Sequence, residues 1–152
     1  MEKKYNFKEQ QAVLEQLWIN DKVYQFTREN REHKNYFGLS ADIAQERPIY
    51  NIDTPPPTVS GTLHIGHIFS YTHADFIARY QRLSNKNVFY PFGFDDNGLP
   101  TEKYVEKKCK VSAHKLGRTA FIDLCLKETK DVEHQFQQLW QSIGLSADWE
   151  LT

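Results

Sequence analysis

A chain of 152 residues, 39% apolar and 14% aromatic, is long enough to close one domain around a core and too apolar to be disordered throughout. Its 19 basic and 20 acidic side chains leave a formal charge of -1, which excludes a global electrostatic pull toward nucleic acid or membrane. Two cysteines without a CxxC pair speak against a disulfide framework or a cysteine zinc site; the opening MEKKYNFKEQ lacks a signal-like apolar run and nothing reaches membrane-span length, so a cytoplasmic setting is expected.

The first predicted element is a peripheral helix in NFKEQQAVLEQLWIND, with Asn6 as its N-cap and Phe7, Val13, Leu14, Leu17 and Trp18 near one face. Residues 21–47 mix charge, aromatic groups and a glycine, and read as a connecting segment. Residues 1–47 are thus expected to precede a main unit spanning 48–152. That unit opens with PIYNID, a short run suited to a buried strand and stopped by the prolines that follow. From Leu63 the apolar spacing becomes helical, with Ile65, Ile68, Phe69, Thr72, Phe76, Tyr80 and Leu83 expected to face the core and the other side expected to be polar and exposed. NVFYPF, residues 87–92, is again strand-like and leads into the turn-rich GFDDNGLP.

Strand, helix and strand in this order predict an α/β fold built on a parallel, right-handed βαβ unit, whose ligands lie beyond the carboxyl ends of the strands. A long helix is expected from about Arg118, with an apolar stripe of Phe121, Leu124, Cys125, Val132, Phe136, Leu139, Trp140 and Ile143 and a stop at Gly144. LSADWELT reads as the start of a further strand.

The stretch TPPPTVSGTLHIGH joins the first strand to the helix and holds the chemistry. His64 and His67, three apart in the first helical turn, point their rings to one side, where free N–H groups and the helix dipole favour an anion. Gly66 between them leaves bare backbone against which a flat ring could lie. The spacing suits ATP. Zinc on the two histidines with His73 is the weaker reading, because no cysteine partners or fourth ligand stand at ligand spacing. Taken singly, a proline triplet is a stiff turn and Asp95, Asp96 and Asn97 before Gly98 are a solvated turn.

Together and in this order, HIGH after a strand and at a helix start resembles the first signature of the class I aminoacyl-tRNA synthetases. TPPPTVSGTLHIGH and PFGFDDNGLPTE are similar to the forms in their valyl branch, and the resemblance extends through GLSADW. It implies the first half of a Rossmann-like nucleotide-binding fold, flanked by the N-terminal helix and the long C-terminal one. It also implies roles. His64 and His67 would contact the ATP phosphates and stabilise charge at the α-phosphorus, Gly66 would face adenine, and Thr58 would lie near the nucleotide. Asp95 would pair with the amino-acid ammonium, between apolar walls from Pro56 and Pro57. Magnesium would arrive with ATP, and valine and its tRNA would be the other partners.

The departures matter too. The family's KMSKS signature is absent, KKCKVS at 107–112 being no match, and so are the editing insertion and the anticodon-binding region. The expectation is therefore half of an active site, with room for a second chain that carries the KMSKS half and with open sheet edges in its absence. Other readings are a non-catalytic nucleotide-binding or interaction remnant, an isoleucyl-type fragment, and a general HxGH nucleotidyltransferase. Lys103, Lys107, Lys108, Lys110, Lys115 and Arg118 could touch tRNA phosphates, but Glu102 and Glu106 among them favour a solvated helix face.

Overall fold

The structure, a computed structural model, describes residues 6–28 and 47–152. The connecting segment expected at 21–47 lies mostly outside the described residues. Helix α1 (Phe7–Asn20) precedes it, and Asn6 stands at its N-cap in extended conformation but makes no side-chain cap bond. None of the residues of α1 is buried, so the helix is peripheral as expected, while its apolar face is only partly covered.

Strand β1 (Ile49–Asn51) and strand β2 (Asn87–Phe89) pair in parallel, Tyr50 opposite Val88, and helix α2 (Ile65–Leu83) crosses between them. This is the expected βαβ unit. Pro48 precedes β1 and accepts from Asn87 N, and the pairing ends where Ile52 N donates to Phe89 O, ahead of the proline run. Asn85, in the left-handed region at φ 59°, closes α2: its N–H reaches Arg82 O and that of Lys86 reaches Gln81 O, a Schellman arrangement.

Helices α3 (Leu99–Cys109), α4 (Ala113–Leu116) and α5 (Arg118–Ser142) complete the chain up to a 3-10 turn at Trp149–Leu151. Leu99 and Pro100, read above as part of a turn, begin α3, proline being tolerated in a first helical turn. Helix α5 ends as expected, with Gly144 at φ 76° and the N–H groups of Gly144 and Leu145 bonded to Gln141 O and Trp140 O. The strand expected in LSADWELT reduces to one parallel bridge between Pro91 and Asp148, after which Asp148 caps the 3-10 turn through Glu150 N.

Trp140 is fully buried, with its ring 4.8 Å from that of Tyr71 and 6.0 Å from that of Phe92. Val59, Val88, Tyr90, Val132 and Phe136 fill the space around it. The buried face of α2 corrects the sequence reading. It is Tyr71, Asp75 and Ala78 that are buried, whereas Ile65, Phe69, Phe76, Tyr80 and Leu83 are exposed.

A polar network explains the choice of face. Asp75 accepts from Ser146 N at 2.7 Å, from Ser146 Oγ, and from Arg79 Nε at 2.7 Å. Arg82 donates to Ser146 Oγ at 2.6 Å and to Ser146 O at 2.7 Å, and Arg79 donates to Gly144 O. The C-terminal end of α5 is thereby tied to α2. The same arginines lie over the rings of Trp18 and Tyr24 at 4.9–5.8 Å, and Asp148 accepts from Phe26 N at 2.7 Å, which anchors the N-terminal segment.

Candidate functional site

The proline run follows β1 beyond its carboxyl end and, with the start of α2, lines an open cleft of about 520 Å³. Pro56, Pro57, Thr58, His64, Gly66 and His67 all line it. Asp95, the remaining residue singled out in the sequence, is not on the cavity wall but stands beside Thr58. A parallel bridge joins the two segments, Val59 N donating to Asp95 O at 3.1 Å and Asp95 N to Pro57 O at 2.9 Å. The Thr58 hydroxyl adds a bond to Asp95 Oδ2 at 3.3 Å, and Asp95 Oδ1 accepts from Asn97 N at 3.2 Å. Each carboxylate oxygen keeps a second lone pair for an incoming cation.

The histidines build the helix start themselves. His64 Nδ1 accepts from Gly66 N at 3.1 Å, and His67 Nδ1 accepts from His64 N at 3.3 Å, a reciprocal capping box. With Nδ1 accepting, the proton of each neutral ring sits on Nε2, which leaves both rings with one donor to offer. The rings lie 4.1 Å apart. Burial, and then the charge of His64, lower the pKa of His67, so it serves as a neutral donor near pH 7.

Gly66 takes a more specific part than bare backbone. A Cβ there would meet His64 Cε1 at 2.9 Å, so the glycine lets the His64 ring fold over the helix start.

Four wall residues were not singled out in the sequence: Thr54, Pro55, Ser70 and Tyr71. Tyr71 donates its hydroxyl to Pro55 O and so ties the proline run to α2, and burial pushes its pKa up to about 12. Its spacing was legible, since it lies one turn beyond His67 on the same helix. His73, by contrast, meets the Phe69 ring edge-on, the centroids 4.3 Å apart. Among the described residues no group of three His, Cys, Asp or Glu side chains is placed to hold a metal. The basic stretch is partly neutralised, Lys108 pairing with Glu128 of α5 at 2.7 Å.

Next to Asp95, the buried Oδ1 of Asp96 finds no donor among the described residues. Glu133 of α5 faces it. Burial first, then the contact with Asp96, push the pKa of Glu133 up to about 7 against the weaker pull of Lys130. A protonated Glu133 supplies the donor that Asp96 lacks. Because the folded-state pKa is raised, this stabilisation is complete below the ordinary glutamate range and is lost as pH rises through about 7. The melting temperature is therefore expected to fall between about pH 5 and pH 8, and that decline is expected to flatten in Glu133→Gln, whose amide donates at every pH. Parallel slopes in the two proteins would exclude the shared proton.

Comparison with known proteins bears on this arrangement. A family model described as tRNA synthetases class I (I, L, M and V) matches residues 16–152. The valine--tRNA ligase of Wolbachia pipientis wMel is 47% identical over 151 residues, covering 99% of this chain and 16% of that relative. The valine--tRNA ligase of Rickettsia akari (strain Hartford) is 45% identical over 149 residues, covering 98% of this chain and 17% of the relative. The chain thus spans about a sixth of the length of these relatives. Among solved structures, the Agrobacterium radiobacter K84 agnB2 LeuRS, in a ternary complex with tRNA and LeuAMS, superposes with a TM-score of 0.66 at 21% identity, over 96% of this chain and 15% of that one. That likeness concerns the fold.

Proposed function

Because the chain belongs to the class I tRNA synthetases of the I, L, M and V group, we propose that it forms the nucleotide-binding and amino-acid-binding part of a valine--tRNA ligase site. The βαβ unit, in residues 48–152, is the first half of a Rossmann-like fold, with residues 1–47 as an appended helix and connector. The observation that carries the reading is the bridge between Thr58 and Asp95, which brings the proline run, the histidine pair and the acidic turn to one place.

In this reading the Nε2–H groups of His64 and His67 hold ATP phosphate oxygens, and adenine lies toward Thr58 and Gly66. Asp95 holds the ammonium of valine between Pro56 and Pro57. A carboxylate oxygen of valine attacks the α-phosphorus, pyrophosphate leaves, and valyl-adenylate passes valine to tRNA. The chain's contribution is positioning and hydrogen bonds aimed at developing charge. Magnesium would travel with the ATP phosphates and would supply charge neutralisation there. A second chain would carry the KMSKS half if this chain works as part of a split enzyme, and the setting is cytoplasmic; no helix among the described residues is long and apolar enough to cross a membrane.

ATP titration of the chain, followed by valine-dependent exchange of pyrophosphate into ATP, tests this. His64→Ala with His67→Ala is expected to weaken ATP binding about tenfold or more, as two hydrogen bonds to a charged acceptor are lost. Asp95→Asn is expected to spare ATP binding and to weaken valine dependence. An unchanged ATP titration in the double variant would sink the assignment. ATP binding without exchange would point to the non-catalytic module.

A further inference from the structure

The turn that carries Asp95 is held at three successive residues. Asp95 is tied to the proline run, its N–H donating to Pro57 O at 2.9 Å and its O accepting from Val59 N at 3.1 Å. Asn97 O accepts from the Thr101 hydroxyl of α3 at 3.5 Å. Between them Asp96 is set against α5, its buried Oδ1 without a donor among the described residues and Glu133 facing it. Aromatic packing builds that contact. Phe94, two residues before Asp96, meets Phe136 with ring centroids 6.5 Å apart, and Phe136 lies one helical turn beyond Glu133 on α5. Asp96 acts on Glu133 from the turn, and Lys130 acts on it more weakly from α5 itself. Among the described residues α3 and α4, also packed on α5, set no charged group against it, Lys108 of α3 pairing with Glu128. Two carboxylates in one site do not both ionise without repulsion.

We propose that Glu133 is a positioning residue for Asp95: with one proton shared between Glu133 and Asp96, α5 holds the acidic turn so that the Asp95 carboxylate stays beside Thr58, and with both acids ionised the turn is released. The proton leaves Glu133 as pH rises through about 7, so the release falls between about pH 6 and about pH 8. Valine is then bound more tightly at the lower pH. That consequence rests on the assignment of Asp95 to the ammonium of valine; the release of the turn does not. The direction separates positioning from simple charge, because two ionised acids acting only through their field would attract an ammonium more strongly as pH rises.

Hydrogen exchange read by NMR tests the turn without any ligand. The amides of Val59 and Asp95, corrected for intrinsic rate and measured against the Ile52 amide bonded to Phe89 O, are expected to lose about fivefold in protection from about pH 6 to about pH 8. In Glu133→Gln, whose amide donates at every pH, the ratio is expected to stay constant. Titration with valine is expected to give a Kd that rises about fivefold over the same interval in the unsubstituted chain and stays level in Glu133→Gln. Glu133→Ala, with no donor, is expected to bind valine weakly at both ends of the interval; the glutamine comparison alone decides if the alanine variant does not fold. ATP affinity, carried by His64 and His67, is expected to be the same in all three proteins. Equal protection profiles in the unsubstituted chain and Glu133→Gln, or valine binding that tightens with pH, would overturn the proposal. A loss of protection that Glu133→Gln abolishes, with no valine bound by any of the proteins, would uphold the role of Glu133 and overturn the ammonium assignment instead.

Discussion

Asp75→Ala is expected to lower the unfolding free energy by about 2–4 kcal/mol, because it leaves the half-buried Arg79 guanidinium, the buried Ser146 hydroxyl and the buried Ser146 N–H without their acceptor. Asp75 is 7% exposed and its carboxylate takes three hydrogen bonds, from Ser146 N, Ser146 Oγ and Arg79 Nε. Removing it takes from Arg82, which donates to Ser146, the one acid among the described residues that offsets its charge, and burial already lowers the pKa of Arg82 to about 10. Asp75→Asn keeps an acceptor for Ser146 N and should lose less, roughly half as much. Urea titration measures both. A loss under about 1 kcal/mol for the alanine variant would mean that the network is ornamental. The consequence reaches the cavity, because Asp75 sets the position of the helix whose first turn is made of His64, Gly66 and His67.

Trp140→Ala is the second large effect, expected at about 3–5 kcal/mol from lost burial and an unfilled cavity. Trp140 is fully buried, and its ring touches Tyr71 and Phe92, which connect α5 to α2 and to the segment after β2. Against a domain stability of about 5–15 kcal/mol, that loss should leave a detectable unfolded population at physiological temperature. Trp140→Phe is expected to cost clearly less, about 1.5 kcal/mol or below. It keeps the ring contact and removes an indole N–H that finds no acceptor among the described residues. Near-ultraviolet circular dichroism with thermal melts would separate the two variants. Equal losses would show that the core needs the full indole, whatever its unpaired N–H.

Part of the candidate site was legible because it is local. A histidine at the N-cap and another three residues on must share the first turn of a helix, whatever surrounds them. The order of strand, helix and strand was legible for the same reason, as was the stop at Gly144, where φ 76° suits glycine. The ties between distant segments were not. Nothing in PPPTV or GFDDNG taken alone says that Asp95 N will reach Pro57 O, because that pairing depends on where the βαβ unit sets the two loops.

The amino-acid sequence by itself determined the type and order of the main elements and the residues of the helix start, since propensity, capping and backbone stereochemistry act within a few residues. It also carried the family resemblance, in motifs that need no fold to be read. Only the tertiary structure decided which face of α2 is buried. Periodicity favoured the larger apolar residues, Ile65, Phe69, Phe76 and Tyr80, yet the face carrying Tyr71, Asp75 and Ala78 went inward. The physical reason is that burial is set by available partners. Small Ala78 lets the backbones approach, Tyr71 meets Trp140, and Asp75 finds three donors at once, while the greasier stripe has nothing among the described residues to cover it.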